Sequence, residues 1–212
     1  STLDFSDLFG VTKVQMQAGD THAYTASNFG APVDGITWVE VPSGTLTISG
    51  NLSGSGVLVI NGNAHFSGTV DFDGIIISNG PGNPKMADTT IATVKKALDK
   101  KIPILGICLG NQILALAAGG DTQKLKFGHR SQNQPCLLKN SSRCYITTQN
   151  HGFAVSKIPQ DFRPWFTNAN DGTNEGIIHK KLPFMSVQFH PEAAPGPTDT
   201  EWIFDYFLER LR

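Results

Sequence analysis

Apolar and polar positions are laid out in two different textures along the chain. From residue 73 onward, short apolar runs alternate with stretches of helical period. Gly74-Ile75-Ile76-Ile77 is an apolar run of the kind a parallel strand buried on both faces presents, and it ends in a Gly-Pro-Gly loop. After Asp88, a candidate N-cap, Ile91, Val94, Ala97 and Leu98 fall on one helical face, while Lys95, Lys96 and Lys100 gather near the C-terminal end, where the helix dipole favours cations. Pro103 to Ile107 reads as the next buried strand, and Gln112 to Ala118 as a helix stopped by Gly119-Gly120. Two later β-like stretches, Cys144 to Thr148 and Met185 to Phe189, precede a final amphipathic helix from about Thr198, with Trp202, Ile203, Tyr206, Phe207 and Leu211 facing inward. Strand, helix, strand, helix in this order predicts an α/β fold with a largely parallel sheet flanked by helices.

Ahead of residue 73 the texture changes. Residues 43–70 alternate short apolar β-formers with Ser-Gly, Asn-Gly and Gly-Asn pairs, so Leu46/Ile48, Val57/Val59 and His65/Ser67 are expected to point alternately in and out of closely spaced strands. Turn signals every eight to twelve residues or so resemble a β-solenoid or a meander. Residues 1–42 carry scattered apolar residues without a helical period and read as a wrapping or extended segment. The expected division is a β-rich segment over 1–72 and an α/β domain over 73–212.

Composition narrows the functional classes. A net charge of −1, with 39% hydrophobic and 17% charged residues, lacks the basic excess that nucleic-acid or anionic-membrane binding calls for. No apolar run approaches the roughly 18 residues of a membrane span, and the first residues do not form a leader, so neither a membrane nor nucleic acid is expected as a partner. Cys108, Cys136 and Cys144 fit neither a disulfide framework nor a metal knuckle, which favours a reducing, cytoplasmic setting and no metal or cofactor.

Cys108 falls where a strand gives way to a helix, between Gly106 and Gly110. Small neighbours permit a sharp turn that lifts the side chain out of the sheet at a helix N-terminus, where the dipole favours a nucleophilic thiolate. Taken alone, a cysteine here is more often a small buried hydrophobe. The flanking run Pro103-Ile104-Leu105-Gly106-Ile107-Cys108-Leu109-Gly110-Asn111-Gln112 changes this, because it resembles the nucleophile motif of class I, triad-type glutamine amidotransferases. Phe189-His190-Pro191-Glu192, on its own a surface turn, supplies the histidine and acid that the same family places near its carboxyl end. The resemblance implies Cys108, His190 and Glu192 as catalytic residues, with His190 moving the proton and Glu192 fixing its tautomer. It also implies that the loop Ser78-Asn79-Gly80-Pro81-Gly82-Asn83-Pro84 lies at the substrate amide, with Gly80 in the binding loop and the N–H groups of Gly82 and Leu109 facing the oxyanion. Such a donor is typically worth about 3 kcal/mol.

Within that family, Lys126 to Pro135, Gln149 to Val155, Asn168 to Ile177 and His190 to Pro197 look like the small subunit, or fused glutaminase region, of carbamoyl-phosphate synthetase. By that resemblance Gln112, Asn150, Gly152 and Phe153 hold glutamine, and the partner is an ATP-dependent carbamoyl-phosphate synthetase subunit or domain. His129 and His151 read as structural or surface histidines. Asn111 stands where histidine is common in this branch, and Ser131 where glycine is usual. Residues 1–72 match none of the family's opening strand, helix and strand. They are expected either as a fusion or as a replacement that packs against the apolar edges and faces left by the missing strands. Two other functions stay open: a general cysteine hydrolase on the same fold, and a structural or assembly protein with an inactive amidotransferase domain.

Overall fold

The computed structural model describes the backbone of strands β1 (His22–Thr25), β2 (Val33–Ile48), β3 (Leu52–Phe66) and β4 (Val70–Asp71), and residues 73–192 and 196–211 in full. The remaining strands are β5 (Gly74–Ile77), β6 (Ile104–Ile107), β7 (Asp121–Leu138), β8 (Cys144–Lys157), β9 (Phe162–Asn168), β10 (Asn174–His179) and β11 (Phe184–Val187). Among the described residues the helices are α1 (Asp88–Asp99), α2 (Leu109–Ala117) and α3 (Trp202–Leu208), with a 3-10 turn at Pro84–Met86. One sheet takes the order β1-β2-β3-β5-β6-β11-β10-β9-β7-β8, and β4 pairs with β3.

The sheet is parallel from β1 through β6 to β11 and antiparallel from β11 onward through β10, β9, β7 and β8. The parallel centre follows from its composition. Every residue of β6 is buried, and its alternate side chains enter two different cores. Ile104 joins Val94 and Ala97 of α1 and Ile113 and Leu114 of α2 on one face. Leu105 and Ile107 join Phe166, Met185, Val187 and, from α3, Ile203 and Phe207 on the other. Helices therefore cover both faces at β6, which is why an unbroken apolar run suits this position.

Several expected boundaries move. Asp88 is not the N-cap of α1: Ala87 holds that place without a side-chain cap bond, and Asp88 is the first helical residue, where its charge still meets the positive end of the dipole. Helix α2 begins at Leu109 rather than Gln112, because Cys108 itself is the capping position and Gly110 lies within the first turn. The last helix begins at Trp202, after a turn through Thr200 and Glu201, rather than near Thr198. Strands β7, β9 and β10 have no counterpart in the apolar pattern. β7 carries Gln123, Lys124, Lys126, Gln132 and Asn133 exposed along much of its length, so neither face reads as buried.

Strands β2 and β3 pair in parallel, from Val33↔Gly54 to Ile48↔Phe66, with an irregularity between Glu40 and Thr45. Gly35↔Gly56 and Glu40↔Asn61 lie inside this ladder, so the Gly- and Asn-containing pairs that signal turns locally are held in strands by pairing, and a meander of short antiparallel strands is not formed. β3 continues onto β5 through Val57↔Gly74 to Ile60↔Ile77, which covers the β5 edge as expected for the segment preceding residue 73. The facing of Leu46, Ile48, Val57, Val59, His65 and Ser67 lies outside the described residues.

Among the described residues no helix is long and apolar enough to cross a membrane. Phe207 is fully buried beneath the sheet centre. Phe207→Ala should cost about 3–5 kcal/mol, seen as a lowered urea midpoint with an unchanged slope.

Candidate active site

Cys108 occupies the turn between β6 and α2 with φ 53° and ψ −99°, a conformation L-residues rarely adopt. Holding it costs on the order of 1–3 kcal/mol, so the surroundings must enforce it. Two glycines do so by letting backbone approach backbone. A Cβ on Gly110 would lie 2.0 Å from the Ile77 carbonyl oxygen at the end of β5, and one on Gly106 would lie 2.5 Å from the Gly110 oxygen. The Cys108 N–H donates to the Val187 carbonyl at 2.8 Å, tying the turn to β11 as well.

β11 leads directly to His190 and Glu192. The His190 N–H donates to the Thr148 carbonyl at 2.9 Å, which pins this segment to β8, and its ring Nδ1 donates to Glu192 Oε1 at 2.7 Å. Cys108 lies close enough to His190 to influence its ionisation. Burial works against a charge on His190, but the influence of Cys108 and the hydrogen bond and negative charge of Glu192 outweigh it and raise its pKa from 6.5 to about 10. The ring is therefore an imidazolium at neutral pH, facing the cysteine on one side and the carboxylate on the other. The fold brings together the three residues expected from sequence.

The loop after β5 closes another side. A Cβ on Gly80 would lie 2.8 Å from Leu109 Cδ2, so the loop lies against the first residue of α2, and Gly82 turns with φ +102°. On β8, Asn150 is exposed and Gly152 and Phe153 are half-buried, two to five residues beyond the Thr148 bridge to His190. Gln112 is nearly fully buried; its Nε2 donates to the Phe153 carbonyl at 2.9 Å and to Gln188 Oε1 at 3.1 Å, so its N–H groups fasten β8 to α2.

A polar group beneath Cys108 went unnoticed in the sequence. Gln188 is fully buried, with Nε2 3.3 Å from the Cys108 carbonyl and 3.8 Å from its sulfur. Asn111 donates to Gln188 Oε1 at 3.1 Å and accepts from Ser186 Oγ at 2.8 Å, so the residue standing in place of a histidine is buried and engaged at both ends of its amide. The available signal was a glutamine and a serine inside the otherwise apolar stretch Met185 to Phe189. Ser131, in place of the usual glycine, accepts a hydrogen bond from Gln134 Nε2 at 2.9 Å.

His129 and His151 are both inside the protein beside this site, their rings edge to face at 4.9 Å. His129 lies between Glu175 and Asp171; the Glu175 hydrogen bond, opposed by burial and helped by Asp171, raises its pKa to about 9. His151 goes the other way, to about 4, because burial and the charges of His129, His190 and Arg130 outweigh its bond to the Phe153 carbonyl.

A family profile for glutamine amidotransferase class-I matches residues 52–210, and the chain belongs to that family. The matched span takes in β3, ahead of the boundary expected at residue 73. Among curated relatives, the multifunctional protein URA2 of Saccharomyces cerevisiae is 53% identical over 145 residues, covering 67% of this chain and 6% of that protein. The carbamoyl phosphate synthase small chain of Methanopyrus kandleri is 51% identical over 164 residues, covering 75% of this chain and 45% of that one. The chain thus spans less than half the length of either relative. The solved structure of a GMP synthase subunit from Thermoplasma acidophilum shares the fold with a TM-score of 0.54 at 24% identity, covering 69% of this chain and 81% of that one.

Both raised histidines bind a proton more tightly in the folded chain than in the unfolded one. The stability they contribute is complete below pH 6.5 and is lost as pH rises through about 9 for His129 and about 10 for His190. Thermal melts across pH 6–11 should show the midpoint falling from about pH 6.5 until this contribution is spent near pH 10, and His129→Gln should flatten the part of that fall below about pH 9. By NMR, the His190 ring in Glu192→Gln should titrate well below about 10, the value with the carboxylate in place.

Proposed function

We propose that this chain hydrolyses the side-chain amide of glutamine to glutamate and ammonia, using Cys108 as nucleophile, His190 as proton carrier and Glu192 as the group that orients and stabilises its imidazolium. The observation that carries the reading is the strained Cys108 at the head of α2 beside a His190 that is charged and held by Glu192 at 2.7 Å. The sulfur, having given its proton to His190, attacks the amide carbon. The N–H groups of Leu109 and Gly82 receive the oxyanion. As the C–N bond breaks, His190 delivers its proton to the departing nitrogen, leaving a γ-glutamyl thioester and ammonia. Neutral His190 then takes a proton from water, which attacks the thioester; collapse expels the thiolate, releases glutamate and restores the charged pair.

Gly80, Gly82 and Leu109 supply the amide end of the substrate site, while Asn150, Gly152 and Phe153 of β8, with Gln112 behind them, hold the other end. We assign this domain to residues 73–212, with β3 extending its sheet. Relatives named carbamoyl phosphate synthase small chain support passing ammonia to an ATP-dependent carbamoyl-phosphate synthetase partner in pyrimidine or arginine biosynthesis, in the cytoplasm. The chain contains no G-x-x-x-x-G-K-[ST] loop of its own, in keeping with ATP chemistry on that partner.

Glutamate release from glutamine by the 212-residue chain tests this directly. Cys108→Ala should lower kcat by roughly four orders of magnitude or more, and Glu192→Gln by about 10²–10⁴. Turnover that survives Cys108→Ala would exclude the mechanism.

A further inference from the structure

His129, partly buried, and Glu175, fully buried, form a pair that the chemistry above does not use. Glu175 is fully buried on β10, and its Oε1 lies 3.1 Å from His129 Nδ1; Asn168 Nδ2 donates to the same oxygen at 3.1 Å. At the rim, the half-exposed Asp171 takes His129 Nε2 at 2.9 Å. His129, His151 and Glu175 offer ligand atoms within 4.8 Å of one another, the spacing of a loose metal cluster. Yet both His129 nitrogens lie against carboxylate oxygens and its pKa is raised to about 9, so at neutral pH the ring keeps both protons and has no lone pair for a metal. The ring is a cation between Asp171 and Glu175; burial pushes the Glu175 carboxyl up, and the hydrogen bonds from His129 and Asn168 oppose that and favour its ionised form.

That cation reaches the substrate strand. His129 Nδ1 also donates to Gln149 Oε1 at 3.0 Å, His151 Nε2 lies 2.9 Å from the same oxygen, and His151 Nδ1 is 2.8 Å from the Phe153 carbonyl. The Phe153 carbonyl is in turn the acceptor for Gln112. Gly128, at φ +67°, lets the backbone ahead of His129 press on β8: a Cβ there would lie 2.5 Å from the His151 carbonyl oxygen. On the opposite side, the Gln188 N–H donates to the Glu175 carbonyl at 2.8 Å, so the element that carries the pair is bonded to the residue beneath Cys108.

We propose that the His129–Glu175 pair is a positioning device for glutamine. It clamps β8 through Gln149 and His151 and so holds Asn150, Gly152 and Phe153 in register with Cys108, governing glutamine binding more than the rate of the chemical steps. This rests on the glutaminase reading. The charged and titratable groups around His129 are Glu175 from β10, Asp171 from the turn before it, His151 from β8 and Arg130 beside it on β7. Removing one member of a buried pair strands the other, whereas replacing both leaves a neutral hydrogen-bonded pair.

The test uses the full chain and four variants: His129→Gln, Glu175→Gln, the double variant, and the milder Asp171→Asn on the half-exposed rim. His129→Gln and Glu175→Gln should each raise KM for glutamine about tenfold or more with kcat within about threefold, Asp171→Asn should raise it a few-fold, and the double variant should recover most of the loss. Independently of turnover, amide hydrogen exchange at residues 149–153 should accelerate in each variant that folds, while the helix over 109–117 keeps its protection. An unchanged KM in an active Asp171→Asn and in the folded single variants, a fall in kcat at constant KM, or unaltered exchange at 149–153 overturns the proposal. If the parent chain does not hydrolyse glutamine, the glutaminase reading fails, and the exchange result alone decides whether the pair fixes β8.

Discussion

The approach of Gly110 to the carbonyl of Ile77 is the constraint around which the site is arranged. Backbone contact at the end of β5 brings the first turn of α2 against the sheet, and no side chain larger than hydrogen fits between them. The turn that remains forces Cys108 to a positive φ and projects it from the strand end, while the Val187 carbonyl holds its N–H. Small residues on both sides of a strained one follow from this single contact. So does the position of the β5 loop, whose Gly80 rests on Leu109.

The sheet solves a second problem, which is how to bury polar groups next to an apolar core. Asn111, Gln112, Ser186 and Gln188 lie where α2 meets β11, and Gln149, Asn168 and Glu175 lie where β8, β9 and β10 come together. Each makes a hydrogen bond to another of these residues or, for Gln149, to the Thr147 hydroxyl, which limits a desolvation cost of roughly 1–3 kcal/mol for each unpaired group. The two groups meet at Gln188, whose side chain serves Cys108 and whose N–H bonds to Glu175. Networks of this kind hold one geometry, because any shift leaves a buried donor or acceptor without its partner.

Legibility from sequence varied with how local the determining physics was. The strands Gly74–Ile77 and Ile104–Ile107 and the helix Asp88–Asp99 were legible because burial on two faces, or on one helical stripe, leaves a periodic trace. β7 was not, since its long polar course is set by pairing with β8 and β9 and not by its own apolar residues. The Gly-rich stretch before residue 73 was legible as β-rich but not in the length of its strands: residues that favour turns in isolation sit inside long parallel ladders. Gln188 and Glu175 gave little sign either, because a buried polar residue looks like a surface residue until its partner, tens of positions away, is known.

The sequence by itself determined the apolar centre of the sheet, the small residues around Cys108, and the pairing of that motif with His190 and Glu192 that marks the family. These are properties of short segments, expressed through periodicity, steric size and motif order. Only the tertiary structure decided that His190 is held charged, that Gln112 and Gln188 support the cysteine turn, and that His129 is a partly buried cation facing Glu175. Each of these depends on groups that are distant in sequence and meet only when β8, β10 and β11 assemble, where low solvent exposure makes a single carboxylate or amide dominate its neighbour's state.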